Sequence, residues 1–237
     1  MITGEHGSSA SVSVIIPVFE QLDYLAEALE SVAAQTRPPA EVIVVCDGGR
    51  VDPAPGFAHE VPVRVVTRPH GGPGAARTTG CALAAGEVLA FLDVDDLWMP
   101  EKLERQVAAL ERDPRLDMVF TGVEHFFCRE LDRGRSPTTT ATAERAGLLP
   151  SALAVRATSF ARVGGFRAGV IFGEFLDWYA RATDLGLVGC TIDETLVRRR
   201  VHPRNAGVEF RGARGDYVRV VKDLLDRRRL ASLGVAQ

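Results

Sequence analysis

The chain has 237 residues, 46% of them hydrophobic and 25% charged, with a formal net charge of -3. That balance excludes wholesale disorder and a fibrous repeat, and the slight acidity argues against a general nucleic-acid binder. The length buries a substantial core and no linker divides it, so one domain is expected over residues 12–210, between a flexible 1–11 and a C-terminal helix and tail over 211–237.

Cys46, Cys81, Cys128 and Cys190 are widely spaced and form no C-x-x-C pair, which suggests neither a zinc site nor a disulfide framework, and fits reduced thiols in the cytoplasm. Residues 1–11 are small and polar and lack the pattern of a secretory signal. No apolar run is long enough to span a bilayer.

Residues 12–19 form a β-branched run closed by Pro17, which predicts a buried strand whose pairing stops near the proline. Apolar residues at helical spacing predict a helix over 23–35, ended by Arg37-Pro38-Pro39. A second β-branched run, 41–46, leads into the turn Asp47-Gly48-Gly49. Strand, helix, strand implies a parallel pair with a right-handed crossover. A short strand over 61–67 follows, then the cluster His70-Gly71-Gly72-Pro73-Gly74 and a helix over 75–85.

The apolar run 88–92 predicts a buried strand that delivers Asp93, Asp95 and Asp96 at its C-terminal end. Crowded carboxylates repel one another and gain from sharing a divalent cation. Hard oxygen ligands suit magnesium or manganese, which in turn suit a diphosphate. The alternative is an acidic turn that caps the helix of 100–112. Ligands of open α/β sheets collect beyond the carboxyl ends of strands, where these residues lie.

Residues 117–127 predict another strand, and 129–146 a long polar surface loop. Short helices are expected over 148–154 and 159–163, a longer one over 174–185, and separate strands over 187–192 and 195–201. The final amphipathic helix, 217–230, carries an apolar stripe of Val218, Val221, Leu224 and Leu225. Packing of that stripe on the domain or on a second copy, giving a homodimer, is the expectation. A peripheral seat on an anionic membrane, through Arg227 to Arg229, is the alternative.

With these elements laid out, the chain resembles the family-2 glycosyltransferases of the GT-A fold, from Val12 to about Gly207. The resemblance rests on motifs in order: Val14-Ile15-Ile16-Pro17-Val18-Phe19-Glu20, then Leu29 to Thr36, Pro39 to Asp47, Gly74 to Gly80, and Ala85 to Leu103. It implies a single α/β, Rossmann-like domain with a mostly parallel central sheet flanked by helices. The implied activity is metal-dependent, inverting transfer of a sugar from a nucleotide diphosphate sugar. By family habit the donor is a UDP-sugar and the cation Mn2+ or Mg2+. The acceptor is a small molecule, a lipid-linked glycan or a peptide.

The resemblance also assigns roles. Pro17, Phe19 and Glu20 contact base and ribose, and Asp47 supplies a carboxylate to the base. Arg77, in a segment similar to the family's Ala-Arg-Asn, holds a phosphate or orients Asp93 and Asp95. Asp95 holds the metal with Asp93 nearby on the nucleotide-sugar, and His202, in a segment similar to Arg-x-His-x-x-Asn, completes the metal shell or touches the diphosphate. Each has a plainer reading as strand end, core filler, cap or turn.

Two departures stand out. Cys46-Asp47-Gly48-Gly49 replaces a paired Asp-Asp, and Glu174-Phe175 stands where relatives carry a Glu-Asp pair whose Asp is the general base. The base is therefore expected at Glu174, with Asp177 as runner-up. Two competitors remain on sequence alone: a non-catalytic nucleotide-sugar binder and a sugar nucleotidyltransferase. The nucleotidyltransferase is the weaker, because the glycine cluster falls late, before the carboxylate strand.

Overall fold

The computed structural model describes residues 9–19, 22–49, 61–127, 148–167 and 173–202, together with Lys222 and Asp226. Glu20, Cys128, the loop of 129–146 and all of the expected final helix except those two residues lie outside the described part. Lys222 and Asp226 are helical and exposed.

The chain opens with strand β1 (Val12–Val18), a single 3-10 turn (Leu22–Tyr24), helix α1 (Leu25–Ala33) and strand β2 (Glu41–Asp47). Strand β3 (Val63–Arg68), helix α2 (Pro73–Leu83) and strand β4 (Val88–Phe91) complete the first half. The first two crossovers follow the sequence expectation closely. The first helix divides into a 3-10 turn and an α-helix, and α2 starts two residues early because Pro73 fits the first turn, where its missing N–H costs nothing.

Strand β1 is central, with β2 parallel on one side and β4 parallel on the other. Its pairing stops near Pro17 as expected, one residue beyond it, and the proline itself stays in the ladder: Pro17 pairs with Val45 and Val18 with Cys46. The reason lies in the other neighbour. Ile15 faces β4 through Leu92 N–H, so Pro17, two residues on, faces the same side, where the β1–β4 ladder has already stopped at Ile15 and Phe91. The missing N–H falls where no strand awaits it.

The second half comprises a two-residue strand β5 (Leu97–Trp98), helix α3 (Lys102–Arg112), strand β6 (Met118–Phe127), a 3-10 turn (Pro150–Ala152), strand β7 (Ala154–Arg156), helices α4 (Ala157–Val163) and α5 (Glu174–Asp184), and strand β8 (Gly189–Val201). Two expectations are corrected here, and one strand is new. Residues 148–154 are a 3-10 turn entering a strand, not a helix. β5 was missed, being too short to show a period. The strands expected over 187–192 and 195–201 are one, because an irregularity opposite Gly122 absorbs the break in alternation.

The sheet order is β3-β2-β1-β4-β7-β6-β8-β5. It is parallel from β3 to β4 and again between β6 and β8. β7 is antiparallel to both its neighbours, and β5 to β8. Both faces of the parallel half are covered, as a parallel sheet requires. Along β2, Val42, Val44 and Cys46 join the main core with Leu25, Ala28, Leu29 and Val32 of α1, while Ile43 and Val45 pack with Ala76 of α2. The second half has an aromatic centre in which the fully buried Trp178 stacks on Phe160 at 5.4 Å between ring centroids, beside Phe166 and Phe175. No helix among the described residues is long and apolar enough to cross a membrane.

Candidate active site

The carboxyl ends of β1, β2 and β4, the start of α2, the start of α5 and the end of β8 carry the chemistry-bearing residues. Arg77, one turn into α2, is 3% exposed, and its guanidinium joins carboxylates far apart in sequence. One terminal nitrogen donates to Glu174 Oε1 at 2.8 Å and the other to Asp93 Oδ1. Burial alone opposes its charge, but the neighbouring Asp93 and Glu174 carboxylates prevail and raise its pKa above the ordinary arginine range. A glycine permits this approach: a Cβ on Gly74 would meet Glu174 Cγ at 3.0 Å and Phe166 Cβ at 3.1 Å.

Beyond β4 the chain turns sharply, with Asp96 N–H donating to the Asp93 carbonyl at 2.9 Å. The Asp93 and Asp95 side chains keep some exposure, 30% and 17%. Asp96 is 3% exposed, and burial together with the Asp95 and Asp93 charges pushes its carboxyl well above the usual range. Asp95 Oδ2 lies 3.0 Å from His202 Nε2, and His202 is 1% exposed with its ring beside Tyr24. A separation of 107 residues is thus closed to one contact.

Asp47 closes β2 and is nearly enclosed. Its carboxylate is 3% exposed, accepts from Gly71 N–H at 3.0 Å and Gly72 N–H at 2.6 Å, and pairs with Arg68. So saturated, it is the brace of the glycine loop, and it holds Gly72 at a φ of 86°, where a side chain would be strained. The exposed groups at that corner are instead aromatic. Phe19 is 44% exposed and its ring lies 4.4 Å from that of His70. His70 was not singled out from the sequence, and its only signal there was its place before the glycines.

Asp177 is also placed away from the shared guanidinium. It has no accessible side-chain surface, and its oxygens meet Arg167 at 3.0 Å and Arg181 at 2.9 Å. Arg181 in turn donates to the carbonyls of Val163 and Gly165. Through these two arginines Asp177 pins α5 to the turn after α4. Phe175 is 8% exposed, with its ring edge-on to Phe120 and stacked near Trp178, so the position after Glu174 belongs to the core.

Two further polar residues hold the Asp93 to Asp96 turn. Arg200 donates from its backbone N–H to Asp96 and from Nε to the Asp95 carbonyl, pairs with Glu27, and lies over the rings of Tyr24 and Phe126. Strand alternation was the available signal, since it puts Arg198, Arg200 and His202 on one face. Ser151 bonds to the Asp93 to Asp96 turn, and nothing in its sequence context marks it.

The donor set bears on whether a divalent cation would fit. Among the described residues no group of three His, Cys, Asp or Glu side chains converges as a metal cage. Magnesium-type sites, however, are built from one or two carboxylates with substrate phosphates and water. Asp95 with His202 beside it and Asp93 nearby fit that sparse pattern.

Residues 13–164, more than half of the chain, match the family model described as glycosyl transferase family 2. Among curated proteins, an uncharacterized glycosyltransferase of Nostoc sp. is 37% identical over 105 residues, 42% of this chain and 33% of that protein. The uncharacterized glycosyltransferase YwdF of Bacillus subtilis is 32% identical over 102 residues, 42% of this chain and 38% of that protein. These matches therefore span well under half of the relatives' own lengths. Among solved structures, S. aureus TarS 1-349 in complex with UDP-GlcNAc superimposes with a TM-score of 0.65 at 20% identity, covering 84% of this chain and 61% of that one. The likeness to TarS is one of fold and gives the GT-A arrangement that the motif order implied. On the strength of the family match over residues 13–164, the chain belongs to glycosyl transferase family 2.

Proposed function

We propose that the chain transfers a sugar, with inversion, from a UDP-sugar to a small-molecule, lipid-linked or peptide acceptor, assisted by Mn2+ or Mg2+. The observation that carries this reading is the buried Arg77, which holds Asp93 of the donor-side turn and Glu174 at the start of α5 on one guanidinium. It sets a donor carboxylate and a candidate base at opposite ends of one fork. TarS, a neighbour in fold, binds UDP-GlcNAc in one solved complex, which supports a nucleotide-sugar as donor.

In this reading the exposed Phe19 and His70 rings offer a surface to the nucleobase, and Asp93, Asp95 and His202 meet the diphosphate side. A cation held by Asp95 and His202 would neutralise charge on the leaving diphosphate. The acceptor oxygen attacks the anomeric carbon as the bond to the diphosphate oxygen breaks, and the acceptor proton passes to Glu174. Arg77 holds Oε1 of Glu174, which leaves Oε2 for that proton. Arg77 also keeps Asp93 and Glu174 from repelling one another.

A thermal-shift panel of nucleotides and nucleotide-sugars, with and without manganese, tests donor binding, since a ligand specific to the folded state raises its melting temperature. The expected result is a manganese-dependent rise with UDP and at least one UDP-sugar. An unmoved melting temperature across the panel overturns the reading. A second reading, a nucleotide-sugar binder that does not transfer, is favoured by Phe175, which fills with core packing the place of the family's usual base. It predicts the same thermal shift with no release of nucleoside diphosphate.

A further inference from the structure

We infer that Ser151 is a positioning residue that fixes the Asp93 to Asp96 turn for cation and diphosphate binding, an inference that rests on the metal-assisted reading above. Ser151 is fully buried in the 3-10 turn before β7, far in sequence from the turn it serves. Its Oγ accepts the Asp93 N–H at 3.1 Å and donates to Asp96 Oδ2 at 2.7 Å. A serine hydroxyl has one proton to give and lone pairs to receive, so both ends of the turn are held by one atom. Its carbonyl is fixed in turn by Trp98 Nε1 at 2.9 Å.

The opposite side of the turn is tied to β8. Arg200 N–H donates to Asp96 Oδ1 at 3.2 Å and Arg200 Nε to the Asp95 carbonyl at 3.1 Å. Asp96 thus points away from solvent and spends its oxygens on Ser151 and Arg200, while Asp93 and Asp95 keep partial exposure. Apolar residues would fill this space without burying a carboxylate, so the polar link needs a reason. That reason is the orientation of the turn. Groups behind metal ligands set the ligands' orientation, and losing one typically weakens affinity by about 10-fold to 100-fold. With alanine at 151, the Asp93 amide loses its acceptor and Asp96 loses its donor.

The test is Mn2+ binding in the presence of UDP, followed by the EPR signal of free Mn2+, for wild type, Ser151→Ala and Ser151→Thr, with melting temperatures alongside. The inference predicts roughly 10-fold weaker Mn2+ binding by a folded Ser151→Ala, and restoration to within about 3-fold by Ser151→Thr, which keeps the hydroxyl. Should Ser151→Ala fail to fold, Ser151→Cys, of nearly the same shape but with a thiol that is a poor hydrogen-bond former, carries the same prediction. Wild type that binds Mn2+ while folded Ser151→Ala or Ser151→Cys binds it equally well overturns the role of Ser151 alone. Wild type that does not bind Mn2+ overturns the cation reading itself, and the inference with it.

Discussion

Arg77 shows how much a single side chain settles in this molecule. A guanidinium is planar and always charged, and it donates in two directions at once. Lysine is a point charge that cannot span Asp93 and Glu174 together. Arg77→Lys is therefore expected to fold yet lower the rate of transfer by roughly 100-fold, the scale on which one precisely aimed donor matters in a transition state. Steady-state kinetics beside a melting curve checks it, and a near-normal rate in the lysine variant would show that only charge is needed. Asp95→Ala is expected to abolish metal-dependent activity with little change in melting temperature, because Asp95 closes no core cavity. Activity that survives both this change and chelation would assign Asp95 to structure.

At this scale the sequence was informative for some residues and silent for others. Asp93, Asp95, Arg77, Glu174 and His202 stood out because each sits in a motif with a chemical reason for its spacing, and the fold brings Arg77 to Asp93 and Glu174, and His202 to Asp95. Asp47 and Asp177 stood out as well, but their contacts with Arg68 and the glycine-loop amides, and with Arg167 and Arg181, left no local mark. Whether a carboxylate faces a ligand or a neighbouring amide depends on long-range packing that no local pattern encodes. Ser151 and His70 were invisible for the same reason, since their partners lie 58 and 23 residues away.

Among the elements, α3 carries the least expected feature. Lys102 is fully buried. Its Nζ donates to Gln106 Oε1 at 2.7 Å and lies 3.9 Å from the centre of the Trp98 ring, while Gln106 donates to the carbonyls of Val119 and Ala152. The pair links α3 to β6 and to the turn that carries Ser151. Burial drives the Lys102 pKa well below the ordinary lysine value despite the favourable ring contact. The unfolded chain then binds a proton that the folded one does not, so stability rises with pH between the folded pKa and about 10.4. Lys102→Met is expected to flatten that slope in urea unfolding followed from pH 7 to 10. An unchanged slope would mean that Lys102 is charged in the fold.

Long elements were legible and short ones were not. β1, β2, α1, α3 and α5 announced themselves by unbroken periods, whereas β5 and β7 are two and three residues long and exist only because β8 and β4 offer them a ladder. The periodicity predicts two strands in place of β8 because its irregularity breaks the period without breaking the strand.

For the whole molecule, the sheet itself brings the halves together. Parallel crossovers aim the ends of β1, β2 and β4 at one edge. β7, antiparallel between β4 and β6, then returns the chain so that β8 delivers Arg200 and His202 to the same edge. The motif order made the parallel half and the family legible. The antiparallel insertion was not, because strand direction follows from pairing and leaves no local mark.

The most direct test of the account is the release of UDP from a panel of UDP-sugars with Mn2+ present, comparing wild type with Glu174→Gln. Measurable release by wild type is expected, with a loss of roughly 100-fold or more in the variant and donor affinity retained. Donor binding by wild type without release of UDP from any sugar, or release that Glu174→Gln leaves unchanged, would contradict it.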